Sequence, residues 1–97
     1  MYSKFIKTKE FSILFCCDEE LVGKTFKENG VELEVRKETY FGEKINEKEL
    51  LKRLKEANNI NLFGKESTLI ALKKGFASEK SLISMQGVPH LQIYKLG

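Results

Sequence analysis

Residues 11–17, with the sequence Phe-Ser-Ile-Leu-Phe-Cys-Cys, form the most apolar segment of the chain. The segment is nearly continuous in apolar residues and rich in residues that favour β-structure, so it predicts a central strand buried on both faces. Residues 2–8 predict a strand before it, with Lys9-Glu10 as the hairpin connection. Seven residues are far too few to span a bilayer, which takes about 20.

The segments that follow show helical and extended patterns in turn. The acidic run 18–20 is typical of a helix N-terminus, and it predicts a short helix or turn that ends near Phe26. Asn29-Gly30 predicts a tight turn. Residues 31–36 then alternate strictly between apolar and polar, which is the pattern of a half-buried strand.

Two main helices are predicted in the second half of the chain. Asn46 is expected to cap the first helix. The second covers residues 66–74, with Leu69 and Leu72 turned inward and Ile70 as a further candidate, and Gly75 is expected to end it.

Connectors and two further strands complete the pattern. Residues 40–42 and 61–64 are predicted loops, the second with the sequence Asn-Leu-Phe-Gly. Residues 82–86 and 90–96 predict two strands on either side of a bend at residues 87–89.

The resulting order, β-β-(short α)-β-α-α-β-β, predicts a single α+β domain over residues 1–97, with a small, mostly antiparallel sheet and two main helices. The N-terminus lacks the apolar stretch of a secretory signal. Cys16 and Cys17 lie inside the apolar strand and are expected to be buried free thiols, which suits a reducing compartment. We therefore expect a cytoplasmic protein.

Positive charge is concentrated in the second half of the chain. Residues 1–50 carry a net charge of −2, whereas residues 51–97 carry +5. Such asymmetry is typical of proteins that face a nucleic acid, although exposed lysines on a helix are also common in proteins that bind none. The candidate residues for contact with phosphates are Lys48, Lys52, Lys55, Lys65, Lys73 and Lys74.

Two short motifs predict bends that a ligand or partner could contact. The first lies at Asn61 and Gly64. In the second, Gly87 and Pro89 constrain the backbone and present His90, the sole histidine, at a fixed angle. A turn with a purely structural role is the alternative.

Several kinds of chemistry are disfavoured by the sequence. Gly23-Lys24-Thr25 resembles the end of a P-loop, but Asp18 stands where that motif needs a glycine. One histidine and two adjacent cysteines cannot supply a standard zinc site. We therefore expect no catalytic residue, no metal and no cofactor.

Three segments resemble the archaeal family catalogued as domain of unknown function 424. They are residues 17–26, residues 61–64 and residues 87–93, and their order and spacing match across nearly the whole chain. The family pattern has two glycines after an aromatic pair, whereas here Gly42 is followed by Glu43. The resemblance implies a small cytoplasmic archaeal protein with no assigned catalytic residues, encoded among genes for translation components.

The leading hypothesis is a non-enzymatic module that binds RNA or the ribosome. A protein–protein adaptor is the first alternative, and a small enzyme or ligand binder centred on His90 is the second. No membrane partner is expected, and the oligomeric state is left open.

Overall fold

A computed structural model describes residues 1–96 and places the apolar segment around Leu14 in the middle of the main sheet. The strands are β1 Tyr2–Lys7, β2 Ser12–Cys17, β3 Thr25–Glu28, β4 Val31–Glu34, β5 Glu43–Lys44, β6 Asn59–Phe63, β7 Ile83–Met85 and β8 Val88–Tyr94. The helices are α1 Lys37–Tyr40, α2 Glu47–Glu56 and α3 Lys65–Lys73. Single turns of 3-10 helix lie at Glu19–Leu21 and Glu79–Ser81.

The main sheet has six strands in the order β5-β1-β2-β6-β8-β7. Its strands pair antiparallel except for β2 and β6, which are parallel. The chain crosses from β2 to β6 through a separate antiparallel hairpin of β3 and β4, then α1, β5 and α2. The fold therefore belongs to the α+β class, with a mostly antiparallel sheet, as the sequence predicts.

The sheet is covered differently on its two faces. On one face it packs against α2 and α3, with Leu14, Leu50, Leu54, Ile60 and Leu91 fully buried between the layers. On the other face the β3–β4 hairpin and α1 bury a second cluster: Cys17, Leu21, Phe26, Val35, Tyr40, Phe63 and Met85. The hairpin and α1 extend over only part of this face, so the remainder of the face is accessible.

Two predicted elements differ from the structure. The short helix or turn predicted over residues 18–26 is a single 3-10 turn at Glu19–Leu21, and it does not extend to Phe26, which packs against Phe63 from the strand β3. The predicted connector over residues 61–64 is the end of β6, an inner strand. Ile60 and Leu62 are fully buried on the side that faces the helices, and β6 pairs with a strand on each side, so this segment is part of the core.

The predicted bend at residues 87–89 is also displaced. The tight turn lies at Gln86 and Gly87, which both have positive φ, and β8 already begins at Val88. Pro89 therefore lies inside a strand, where its fixed φ is compatible with extended backbone.

The predicted start of α2 at Asn46 and the predicted end of α3 at Gly75 are confirmed, whereas the predicted inward position of Leu69 on α3 is not. The Asn46 side chain accepts a hydrogen bond from the Glu49 backbone N–H at 2.9 Å. Gly75 has a φ of +79°, which suits a residue that ends a helix. Leu69, however, is 54% exposed, because α3 turns Ser67, Thr68 and Ala71 to the sheet instead.

Candidate functional site

The N-terminus of α3 is held by a buried carboxylate from another part of the chain. Asp18 accepts hydrogen bonds from the backbone N–H groups of Glu66 at 2.8 Å and Ser67 at 2.9 Å. Gly64 precedes the helix with a φ of +115°, and a Cβ there would lie 2.3 Å from the Asp18 carboxylate carbon. Asp18 therefore caps α3 across the fold rather than the turn that follows it in sequence.

Two of the predicted bend residues meet at this junction. The Gly64 N–H donates to the Pro89 carbonyl at 2.8 Å, while the Asp18 N–H donates to the Phe63 carbonyl at 2.9 Å. Gly87 lies apart from them, in the exposed turn between β7 and β8. Gly64 and Pro89 thus have a structural explanation, since they join β6, β8 and α3.

His90 lies beside this junction, on the face of the sheet opposite the main helices. Its ring stacks on Phe63 with 4.8 Å between centroids, and Phe26 stacks on the same Phe63 at 5.2 Å. Its Nδ1 is buried without a hydrogen-bond partner among the described residues. Burial lowers the pKa of His90, so the imidazole is neutral at pH 7.

The structure does not bring Cys17 and His90 together as a catalytic thiol–imidazole pair. Cys17, Phe63 and His90 lie in register on three adjacent strands, so Phe63 separates the thiol from the imidazole by two strand spacings, about 10 Å. Burial raises the pKa of both Cys16 and Cys17 to about 12, which keeps the thiols protonated and poorly nucleophilic. Within residues 1–96, no cluster of three or more His, Cys, Asp or Glu side chains suits a metal ion.

The six candidate lysines all lie on the outer helical layer, and all are exposed. Lys48, Lys52 and Lys55 belong to α2, and Lys65 and Lys73 belong to α3. The remaining one, Lys74, follows α3 directly. Within the described chain, none of the six has a carboxylate oxygen within 4.0 Å, whereas Arg53 on the same helix pairs with Glu43 and Glu49.

A second surface, which the sequence patterns did not reveal, lies on the part of the sheet that the hairpin leaves uncovered, and it is bordered by α1. We call it the open sheet face. It consists of two rows of residues paired in register across β1, β2, β6 and β8. The first row is Ile6, Ile13, Asn59 and Tyr94, and the second is Lys4, Phe15, Asn61 and Gln92.

Of the predicted partner residues, only Asn61 lies on the open sheet face. The signal for this surface was present in the alternation of β6 and β8, where Asn59 and Asn61 alternate with the buried Ile60 and Leu62. The pattern is masked by Gly64, which makes residues 61–64 typical of a loop. A cleft of about 530 Å³ borders the first row, lined by residues that include Phe11, Ile13, Asn59, Tyr94 and Leu96.

None of the helices within residues 1–96 is both long enough and apolar enough to cross a bilayer.

Comparisons with known proteins identify the family. Residues 6–96 match the family described as "Protein of unknown function (DUF424)". No curated protein matches the sequence. A solved structure from Methanopyrus kandleri, described as an uncharacterized conserved protein, is similar with a TM-score of 0.81 and 26% identity, covering 98% of this chain and 90% of that chain. The chain therefore belongs to the DUF424 family.

Proposed function

We propose that the protein is a non-enzymatic module that binds RNA, and that the lysines of its helical layer contact the phosphates. The observation that supports this is the set of six exposed lysines on or beside α2 and α3, none of them within 4.0 Å of a carboxylate in the described chain. Both helices pack on the same face of the sheet and contact each other. Their lysines therefore share one side of the molecule.

Lysines without an intramolecular partner are suited to phosphate contacts. Each contact releases counterions from the nucleic acid, which makes binding favourable and salt-dependent. An internal salt bridge would compete with that contact. The same helices also carry Glu47, Glu56 and Glu66, so we expect moderate affinity rather than tight non-specific binding. The genomic setting implied by the family resemblance favours RNA of the translation apparatus.

The test is a triple charge reversal on the helical layer. We expect Lys52→Glu/Lys55→Glu/Lys74→Glu to weaken binding to an oligoribonucleotide and to lower the slope of log K against log salt by about 2, since three single-strand contacts are lost. The matched control is Lys52→Arg/Lys55→Arg/Lys74→Arg, which alters the same three positions and keeps their positive charge. Unchanged binding in the first variant, or equal loss in both, would reject the proposed surface.

A protein–protein adaptor is the second candidate. It is favoured by the exposed apolar side chains Phe11, Tyr94 and Leu96 around the 530 Å³ cleft. Such a patch is typical of interaction sites. Purification from native lysate with and without ribonuclease separates the two functions. An adaptor keeps its partner after nuclease treatment and at high salt, whereas an RNA-binding module loses it under both conditions.

A further inference from the structure

We propose that the open sheet face binds the unstacked bases of single-stranded RNA. This inference rests on the RNA-binding function proposed above and names the class of RNA: single strands or loops rather than uniform duplex. Bases in duplex RNA are stacked and paired, so only unpaired segments can lay them on a protein surface.

The geometry of the open sheet face provides a platform for bases. Its two rows are adjacent, since residues two apart on one strand lie on the same side, about 7 Å from each other. In the first row Ile6 and Tyr94 stay exposed and Ile13 and Asn59 are half-buried, so the row is accessible from strand to strand. The second row is partly covered by α1, because the Phe15 ring packs edge-on against Tyr40 at 5.5 Å and the Lys4 ammonium donates to the Glu38 carbonyl at 2.8 Å. Its accessible part is therefore on β6 and β8, at Asn61 and Gln92.

The aromatic groups lie at one end of this surface. Tyr94 is 74% exposed and Phe11 is 46% exposed, and both line the 530 Å³ cleft beside the first row. An exposed ring is a stacking surface that accepts any base, because every base has a π-face. Ile13 lines the same cleft and adds an apolar side chain on β2, with Asn59 between it and Tyr94 in the row.

Three amide side chains lie on the open sheet face: Asn59 and Asn61 on β6 and Gln92 on β8. Asn61 donates to Asn59 at 3.5 Å, and Gln92 has no side-chain hydrogen bond within the described residues. Each amide offers one acceptor and two donor hydrogens, so most of this capacity is free. Amides can pair with the Watson–Crick and Hoogsteen edges of exposed bases. The centre of a protein–protein interface is more often apolar or aromatic, so three adjacent amides favour RNA as the occupant.

The charge of the surface agrees with a polyanionic ligand. None of the eight side chains in the two rows is acidic, and Lys4 is the one charged group among them. Carboxylates border the surface at Glu10, in the lining of the 530 Å³ cleft, and at Glu28, in the lining of a second cleft beside Gln92. A backbone that follows the rows themselves crosses no carboxylate, so the electrostatic repulsion is confined to these two borders.

The experiment compares a fluorescent 12-nucleotide single strand with a 12-base-pair RNA duplex by anisotropy. We expect the native protein to prefer the single strand. Tyr94→Ala should weaken that complex about tenfold, the loss expected for one stacked base, and leave duplex binding unchanged. Asn61→Asp, which puts a carboxylate on the platform, should weaken it as well. Val31→Ala, at a hydrophobic position 52% exposed on the hairpin, is the matched control and should bind normally.

The outcomes separate this inference from the proposed function. Equal affinity for both probes, with Tyr94→Ala and Asn61→Asp unchanged while the lysine triple reversal still weakens binding, overturns the base-binding role alone. Absence of binding to either RNA by the native protein overturns the proposed function as well. A third outcome comes from the lysate purification. If the native protein retains a protein partner after ribonuclease treatment, Tyr94→Ala loses that partner and the native protein binds no RNA, the open sheet face binds a protein and the inference is overturned. Unchanged thermal melting of each variant establishes that the fold is intact.

Discussion

At Gly64 the backbone adopts a conformation that side chains rarely allow, with a buried carboxylate directly against it. The φ of +115° and ψ of 162° lie in a region occupied almost only by glycine. The Asp18 carboxylate fills the space that a Cβ would need. The capping of α3 therefore depends on two residues 46 positions apart in the sequence.

Gly64→Ala is expected to destabilise the protein by about 3 kcal/mol or more. The substitution adds backbone strain of about 1–3 kcal/mol and displaces a carboxylate that accepts two backbone N–H hydrogen bonds, each of which contributes about 1.5–3 kcal/mol because the acceptor is charged. The control is Gly75→Ala, where φ is +79° but a Cβ meets nothing within 4 Å, and its cost is about 1–2 kcal/mol. Urea unfolding measures both, and equal destabilisation would contradict the close approach to Asp18.

His90 makes the stability of the protein depend on pH near neutrality. Burial lowers the pKa of the folded imidazole below its ordinary value of 6.5, while the unfolded chain keeps that value. Above pH 6.5 both states are neutral and the contribution is constant. As the pH falls from 6.5 toward the lowered folded pKa, the unfolded state binds more protons, so the free energy of unfolding decreases.

We therefore expect urea unfolding to show lower stability at pH 5.5 than at pH 7.5. His90→Phe keeps an aromatic ring against Phe63 but cannot titrate, so this difference should shrink in the variant. Because His90 is the sole histidine, the comparison isolates one group. An identical pH dependence in the two proteins, or greater native stability at pH 5.5, would contradict the burial of the ring.

At the scale of elements, Arg53 ties α2 to one edge of the sheet. Its guanidinium donates to Glu49 at 2.9 Å on α2, to Glu43 at 3.0 Å on β5 and to the Ser3 hydroxyl at 3.1 Å on β1. The group is buried, although Glu43 is mostly exposed. A planar fork with several donors can reach all three partners, which an ammonium cannot.

Arg53→Lys is expected to destabilise the protein by about 1–3 kcal/mol, since at least one buried hydrogen bond is lost without replacement. Lys52→Arg, the reciprocal change at the neighbouring exposed position, should stay within about 0.5 kcal/mol. Thermal or urea unfolding of the two variants gives the comparison. A negligible effect of Arg53→Lys would show that the three contacts do not hold α2 on the sheet.

Sequence patterns predicted those elements whose signals are local. The Asn46 cap, the Asn29-Gly30 turn and the apolar strand around Leu14 each follow from a few neighbouring residues, and all three are present. β6 could not be predicted in the same way. Its apolar segment is short, and the glycine that follows it is typical of a loop. Its place as an inner strand depends on pairing with β2 and β8, which no local pattern encodes.

The same limit applied to the candidate site. The exposure of the lysines on α2 could be predicted from helical periodicity, because Leu50 and Leu54 mark the opposite side. The cap at the start of α3 could not be predicted. Asp18 lies far from α3 in the sequence, and its neighbours Glu19 and Glu20 make it look like the cap of a helix that begins directly after it. The open sheet face required knowing how far the hairpin extends over the sheet.

At the scale of the whole molecule, the proposed RNA contacts lie on both faces of one sheet. The lysines of α2 and α3 occupy one side, and the open sheet face occupies the other. The molecule measures 36 × 28 × 24 Å. Twelve nucleotides span about 40 Å even at a helical rise of about 3.4 Å each, so one short strand is long enough to pass from one face to the other around an edge.

The most direct test of this arrangement is a titration of the ¹⁵N-labelled protein with the 12-nucleotide single strand, followed in ¹H–¹⁵N correlation spectra. We predict that the side-chain amide signals of Asn59, Asn61 and Gln92 shift together with the backbone signals of α2 and α3, while those of the turn at Val22 and Gly23 stay in place. Spectra that do not change, or shifts confined to that turn, would contradict the account.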